Sequence, residues 1–195
     1  MARPSYIFIF LISSLLVSCQ SPAPFSNLKL NFDHLDKISL NVSDIEIIST
    51  YKPTFKRPNV DHLYEETLTE IANRYILYKF NTVNTNQRLR VLIKEASLKK
   101  NIKRNLKKSE IINIFNNKSY VLYTAVLQVE VQIINERGFI VSRVISDVFY
   151  RKSDTENLSI NEDLMVYFEI CEKIIMLLDE ELLSQINKHF KKYLL

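Results

Sequence analysis

Between Tyr120 and Ile134 apolar and polar side chains alternate: Val121, Tyr123, Ala125, Leu127, Val129, Val131 and Ile133 point one way, Gln128, Glu130 and Gln132 the other. Period two over that length predicts a long antiparallel strand with one buried face and one in water. Asn135-Glu-Arg-Gly138 follows, and glycine's tolerance of positive φ predicts a hairpin turn there. A further strand is expected from about Phe139 to Tyr150, where the alternation is less regular. Upstream, Leu89, Val91 and Ile93 share one parity and Ala96 and Leu98 the other, which predicts a strand over Arg88–Leu98 that changes phase midway. A similar change, from Ile38, Leu40 and Val42 to Ile45 and Ile47 across Ser43-Asp44, predicts a first strand carrying a bulge.

Two segments follow the helical period instead. Tyr64, Leu68, Ile71, Tyr75 and Tyr78 recur at steps of four and three, with Glu65, Glu66 and Glu70 early, where the positive end of the helix dipole favours acids. The turn-rich link Tyr51 to His62, with Pro53 and Pro58, precedes this helix, Asn59 or Asp61 is placed to cap it, and Asn81 to Gln87 ends it. Ser159-Ile-Asn-Glu162 is a capping box that opens a second helix, with Leu164, Phe168, Cys171, Ile175, Leu178, Leu182 and Ile186 as its buried stripe. His189, Lys191 and Lys192 suit its negative C-terminal end. The order β-α-β-β-β-α predicts an α+β fold: two layers, an antiparallel sheet of about four strands with both helices on one face.

The N-terminus carries a different pattern. Arg3 precedes Tyr6–Val17, an apolar stretch of 12 residues. That is the length of a secretory h-region and short of the roughly 20 residues a membrane-spanning helix needs. The expected organisation is a signal peptide over 1–18, a tether over 19–31 with Pro22 and Pro24, and a single α+β domain over 32–195. Removal of the leader takes away one of 26 basic residues and leaves 25 against 22 acidic, a net charge of +3. That balance is too small to imply a nucleic-acid partner.

Lys99, Lys100, Lys103, Arg104, Lys107 and Lys108 place six cations in ten residues within a four-residue repeat headed by Leu98, Ile102 and Leu106. The charges are expected to project together from the link between two strands. Contact with anionic lipid headgroups is one reading, at about 1 kcal/mol per cation near an anionic surface. A solvated stretch that keeps an edge strand soluble is the other.

A single glycine, Gly138, excludes the glycine-rich phosphate loops and nucleophile elbows. His34, His62 and His189 lack metal-ligand spacing, so no metal or cofactor is expected. Asp61-His62 stands at the expected helix start, where Asp caps and His is exposed, rather than as a catalytic pair. The acids Glu65-Glu66, Glu162-Asp163 and Asp179-Glu180-Glu181 are expected on polar helix faces or near N-termini. Cys171, among Ile170, Ile174 and Ile175, is expected as a buried, inert thiol. No catalytic residues are assigned, and the chain is not expected to be an enzyme.

Leu16-Val17-Ser18-Cys19, closing the h-region, resembles the bacterial lipobox. The resemblance implies diacylation of Cys19 on sulfur and cleavage before it, and two or three acyl chains make attachment effectively permanent. Gln20 follows the cysteine rather than Asp, which in lipoproteins of this kind implies the outer membrane. Together with the tether and the element order, the chain resembles the lipopolysaccharide-assembly lipoprotein and the auxiliary lipoproteins of ABC-type lipid transporters, which share a two-layer sheet-and-helix domain and no catalysis. Tyr51-Lys-Pro53 with Pro58-Asn-Val-Asp-His-Leu63 looks like a motif of alphaproteobacterial lipoproteins. The aromatic-Pro-Leu-Tyr segment that follows the cysteine in the lipopolysaccharide-assembly lipoprotein is absent, so the resemblance extends to the class and to Cys19. It implies a periplasm-facing adaptor or accessory subunit with an envelope protein partner. A lipid- or amphiphile-binding lipoprotein and a structural envelope protein are the alternatives.

Overall fold

The computed structural model describes residues 29–83, 86–104 and 119–195. The elements run β1 (Ile38–Leu40), β2 (Ile45–Ser49), a 3-10 turn (Asp61–Leu63), α1 (Leu68–Lys79), β3 (Phe80–Thr82), β4 (Arg88–Arg104), β5 (Ser119–Ile134), β6 (Ile140–Thr155), α2 (Ile160–His189) and a closing 3-10 turn (Lys191–Tyr193). Four strands form one sheet in the order β2-β4-β5-β6, and the helices pack on one face of it, the expected α+β arrangement. No helix among the described residues is long and apolar enough to cross a membrane.

β5 explains why the layers form. Val121, Tyr123, Ala125, Leu127, Val129, Val131 and Ile133 are all buried beneath the helices, as their alternation requires. Asn135 and Gly138 make the turn to β6, with Gly138 at φ 82° and its N–H donating to the Asn135 carbonyl at 2.9 Å. In β4 the register against β5 slips between Ile93 and Glu95. Lys94 is the extra residue, so Val91, Ile93, Ala96 and Leu98 all stay on the buried face.

The phase change at Ser43-Asp44 has another cause. It is not a bulge in one strand: β1 pairs with β3 in a separate two-stranded sheet, and β2 joins the main sheet. A tight turn between them, with the Val42 N–H donating to the Leu40 carbonyl at 2.9 Å, hands the chain from one sheet to the other. β4, β5 and β6 are antiparallel, but β2 runs parallel to β4, because α1 carries the chain back before β4 begins. The C-terminus closes on β1, with the Asn41 N–H donating to the Tyr193 carbonyl at 2.8 Å and Leu194 bridging Leu40.

α1 starts later than its apolar stripe suggests. Thr67 caps it: its hydroxyl accepts from the Glu70 N–H, and the Glu70 carboxylate accepts from the Thr67 N–H at 2.7 Å. Tyr64, Glu65 and Glu66 precede the helix. Asp61 also caps it from seven residues away, accepting the Leu68 N–H at 2.9 Å. α2 begins at the expected box, with the Glu162 carboxylate accepting from the Ser159 N–H at 2.8 Å.

Two corrections concern buried charge. Asp179 is buried inside α2 rather than on its polar face, and it meets Lys79, the last residue of α1, which is wholly buried. Glu130 and Gln132 lie on the outer face of the sheet yet are buried as well. Lys94 pairs with Glu130, Gln132 donates to the Glu130 carboxylate at 2.7 Å, and Arg90 and Arg143 flank Gln132 in the register. Long basic side chains thus cover that end of the outer face.

Candidate functional site

Leu16, Val17, Ser18 and Cys19, most of the expected tether, and Lys107 and Lys108 lie outside the described residues. The chain is already packed at Leu30, within the stretch expected as tether: Leu30 and Phe32 are buried. Arg74 of α1 holds this segment, donating to the Leu30 carbonyl at 2.5 Å while its guanidinium lies 4.9 Å from the centre of the Phe32 ring and pairs with Glu66 at 2.9 Å.

Lys99, Lys100, Lys103 and Arg104 fall on β4, which continues beyond Leu98. Strand alternation separates Lys99 and Lys103 from Lys100, so these three do not project together. Lys100 shares the helix-side parity of Leu98 and opposes Tyr123; its ammonium sits 2.5 Å from Asp163 and 5.2 Å from the Tyr123 ring centre. Lys99 and Lys103 take the opposite face, where Lys103 is exposed. Lys99 also bridges Asn59 through the backbone, as the segment Pro58–Val60, after the cis Arg57–Pro58 bond, runs along β4. The expected effects of substitution therefore divide. Lys99→Gln, Lys103→Gln, Lys107→Gln and Lys108→Gln together lower partitioning onto vesicles containing an anionic phospholipid, whereas Lys100→Gln leaves partitioning unchanged and lowers thermal stability. Sedimentation with vesicles beside a melting curve checks both; unchanged binding in the fourfold variant removes the lipid contact.

Asp163, in the first turn of α2, gathers the polar groups at this end. Tyr64 donates to it at 2.9 Å, Tyr123 donates to its other oxygen, and Lys100 pairs with it. Burial works against its charge, but the hydrogen bonds from Lys100, Tyr123 and Tyr64 outweigh burial and hold the carboxyl below its ordinary range. Beneath it Tyr64 stacks on Tyr167, ring centres 3.7 Å apart, and Tyr167 donates to the Glu66 carbonyl at 2.7 Å. Burial raises all three tyrosines well above the ordinary phenol value, so they act as donors.

Cys171 is buried, and burial pushes its thiol up to about 12, so it stays protonated and unreactive at neutral pH. Asp61 is buried too, and burial raises its carboxyl. Its neighbour His62 is half-buried rather than exposed, edge-on to Phe55 at 5.3 Å between ring centres. Asp61 therefore serves the start of α1. Among the described residues no three His, Cys, Asp or Glu side chains could share a metal ion.

Sequence reading did not connect Lys100, Tyr64 and Tyr123 with Asp163. Only the Ser159 box, which fixes where α2 starts, points toward Asp163.

The outer face of β6 is the other candidate surface. Val141, Ile145 and Phe149 are exposed there at 41%, 44% and 63%, interleaved with Arg143, Asp147 and Arg151. The Arg151 guanidinium lies 5.5 Å from the centre of the Phe149 ring, and Gln128 donates to Asp147 at 3.2 Å. The layer between sheet and helices is filled by contrast: Ile93, Leu127, Val129, Ile174, Leu178 and Leu182 have no exposed surface. A shallow surface depression lined by Leu30, Phe32, His34, Leu35, Ile175 and Met176 lies where the N-terminal segment meets α2.

No protein-family model and no curated protein matches the chain. Among solved structures it is similar to a minor lipoprotein from Acinetobacter baumannii, with TM-score 0.38 and 14% identity over 77% of this chain and 96% of that one. It is also similar to rare lipoprotein B from Shewanella oneidensis, with TM-score 0.35 and 15% identity over 75% and 96%. A third similar structure is a neuraminyllactose-binding hemagglutinin homolog from Helicobacter pylori, with TM-score 0.33 and 9% identity over 75% and 89%. The first two are described as lipoproteins.

Proposed function

We propose that this protein is a non-enzymatic lipoprotein held in the outer membrane by acyl chains on Cys19, facing the periplasm as an adaptor or accessory subunit of an envelope lipid-transport or outer-membrane assembly complex. One observation carries the reading: Leu16-Val17-Ser18-Cys19 closes an apolar stretch of 12 residues. Acyl chains at that position confine the folded part to a bilayer surface, where docking is a natural role. The filled core favours an adaptor over a lipid carrier, because a site that takes a drug-sized or larger ligand needs several hundred cubic ångströms.

Detergent phase separation tests the anchor. The wild-type protein is expected in the detergent phase and labelled by radioactive palmitate, and Cys19→Ser is expected unlabelled in the aqueous phase. A wild-type protein found in the aqueous phase with an unmodified Cys19 thiol overturns the anchor. Photocrosslinking from Lys103 in native membranes tests the role: capture of a transport or assembly component supports it. Stoichiometric lipid in the purified protein, with nothing captured, transfers the reading to a carrier.

A further inference from the structure

The geometry points to a homodimer formed by β6: two copies pair this strand antiparallel about Ile145, joining two four-stranded sheets into one of eight. β6 is last in the order β2-β4-β5-β6, and among the described residues no strand pairs with its far edge. That edge is 16 residues long, against 5 for β2 at the opposite end. An unpaired edge of such length is a template for another strand unless proline, a bulge or unmatched charged side chains blunt it. β6 contains no proline, its bulge at Val141 lies at its start and leaves the register with β5 unbroken from Ser142 to Thr155, and its one lysine, Lys152, is paired with Glu169 of α2.

The outward side chains decide the occupant. Along β6 they read Val141, Arg143, Ile145, Asp147, Phe149, Arg151. In an antiparallel pair symmetric about Ile145, each residue before Ile145 faces the residue equally far after it in the other copy. Arg143 then opposes Asp147 twice and Ile145 meets itself, while Phe149 falls opposite the bulge at Val141. Symmetry about Asp147 would set Arg143 against Arg151 and Asp147 against Asp147, all like charges. Symmetry about Phe149 would set Asp147 against Arg151 but leave Ile145 facing Ser153 and Arg143 facing Thr155. Of these three, the register about Ile145 is the one that pairs opposite charges without setting Ile145 against a polar residue, as a self-complementary two-fold interface requires. Gln128 helps by holding the Asp147 carboxylate on that face.

Ile145→Cys in the full-length lipoprotein tests the inference in native membranes. Opposed residues in an antiparallel pair have Cα atoms about 4.5–5.5 Å apart, within disulfide reach. Mild oxidation is expected to give a disulfide dimer, whereas Ser153→Cys, which faces no copy of itself, gives none; Cys171 is buried and does not interfere. Adding Arg143→Asp to Ile145→Cys is expected to lower the disulfide yield about tenfold by turning two attractive contacts into repulsive ones, and further adding Asp147→Arg restores it. A folded Ile145→Cys protein that stays monomeric on oxidation overturns the inference. So does a yield indifferent to Arg143→Asp, or a photocrosslinker at Phe149 that captures only a different protein. Loss of the Cys19 anchor would overturn the proposed function and leave these outcomes unchanged in detergent solution.

Discussion

Asp179→Ala is expected to lower the unfolding free energy by about 3–5 kcal/mol, because breaking one side of a buried ion pair strands the other charge. Lys79 is wholly buried; its ammonium lies 2.6 Å from the Asp179 carboxylate and 2.7 Å from the Asp36 carbonyl. Tyr75 donates to the same carboxylate oxygen at 2.7 Å. Removing the carboxylate leaves an ammonium and a phenol at the junction of the helices with only one acceptor between them. For a domain of this size the melting temperature is expected to fall by roughly 6–20 °C. Lys79→Met combined with Asp179→Leu should recover most of the loss, since replacing both charges removes the desolvation cost along with the attraction. Denaturant unfolding of the two variants and the wild type checks this. A loss below about 1 kcal/mol for Asp179→Ala would mean that solvent reaches the ammonium.

The same residues show what the sequence could and could not convey. The hairpin of β5 and β6 was legible because period two, a polar turn and one glycine coincide. The phase change in β4 shows in the sequence as a shift of parity, and it is a bulge at Lys94. At Ser43-Asp44 an equivalent change marks a move to another sheet. Both operations invert which parity is buried, and local pattern records the inversion without the pairing partner. Tyr64 extended the helical stripe by a turn because it is packed against Tyr167, although the backbone there is not helical. The box Thr67-Leu-Thr-Glu70 was the signal that marks the true start. Lys100, Glu130 and Asp179 read as surface charges because burial of a charge is decided by a partner distant in sequence. The outward face of β6 was obscured by its apolar residues, which blur the alternation that a strand with one wet face would show.

Asp163 offers the second large effect, and one with a pH signature. Asp163→Ala removes the acceptor of Tyr64 at 2.9 Å, the acceptor of Tyr123 and the partner of Lys100 at 2.5 Å. Hydrogen bonds to a charged group contribute about 1.5–3 kcal/mol each, but Lys100 and Asp163 are partly exposed, and screening reduces the ion pair. A loss of about 2–4 kcal/mol is therefore expected, carried mainly by the tyrosines. Asp163→Asn should lose less, because its amide oxygen still accepts from a phenol. The folded carboxyl titrates below its unfolded value near 3.9, so the unfolded chain binds the proton first as pH falls. Stability supplied by the charge is thus complete above about pH 5 and declines as pH drops through 3.9 toward the folded value. Glu130, held low by Lys94, changes in the same sense, while Asp61, raised by burial, changes in the opposite one. Both are common to wild type and Asp163→Asn, so the difference between the two proteins isolates Asp163. That difference, from urea midpoints, should be largest near pH 7 and shrink by pH 3. An equal difference at both values would show that the carboxylate's charge contributes nothing and that Asp163 acts only as a neutral acceptor for Tyr64 and Tyr123.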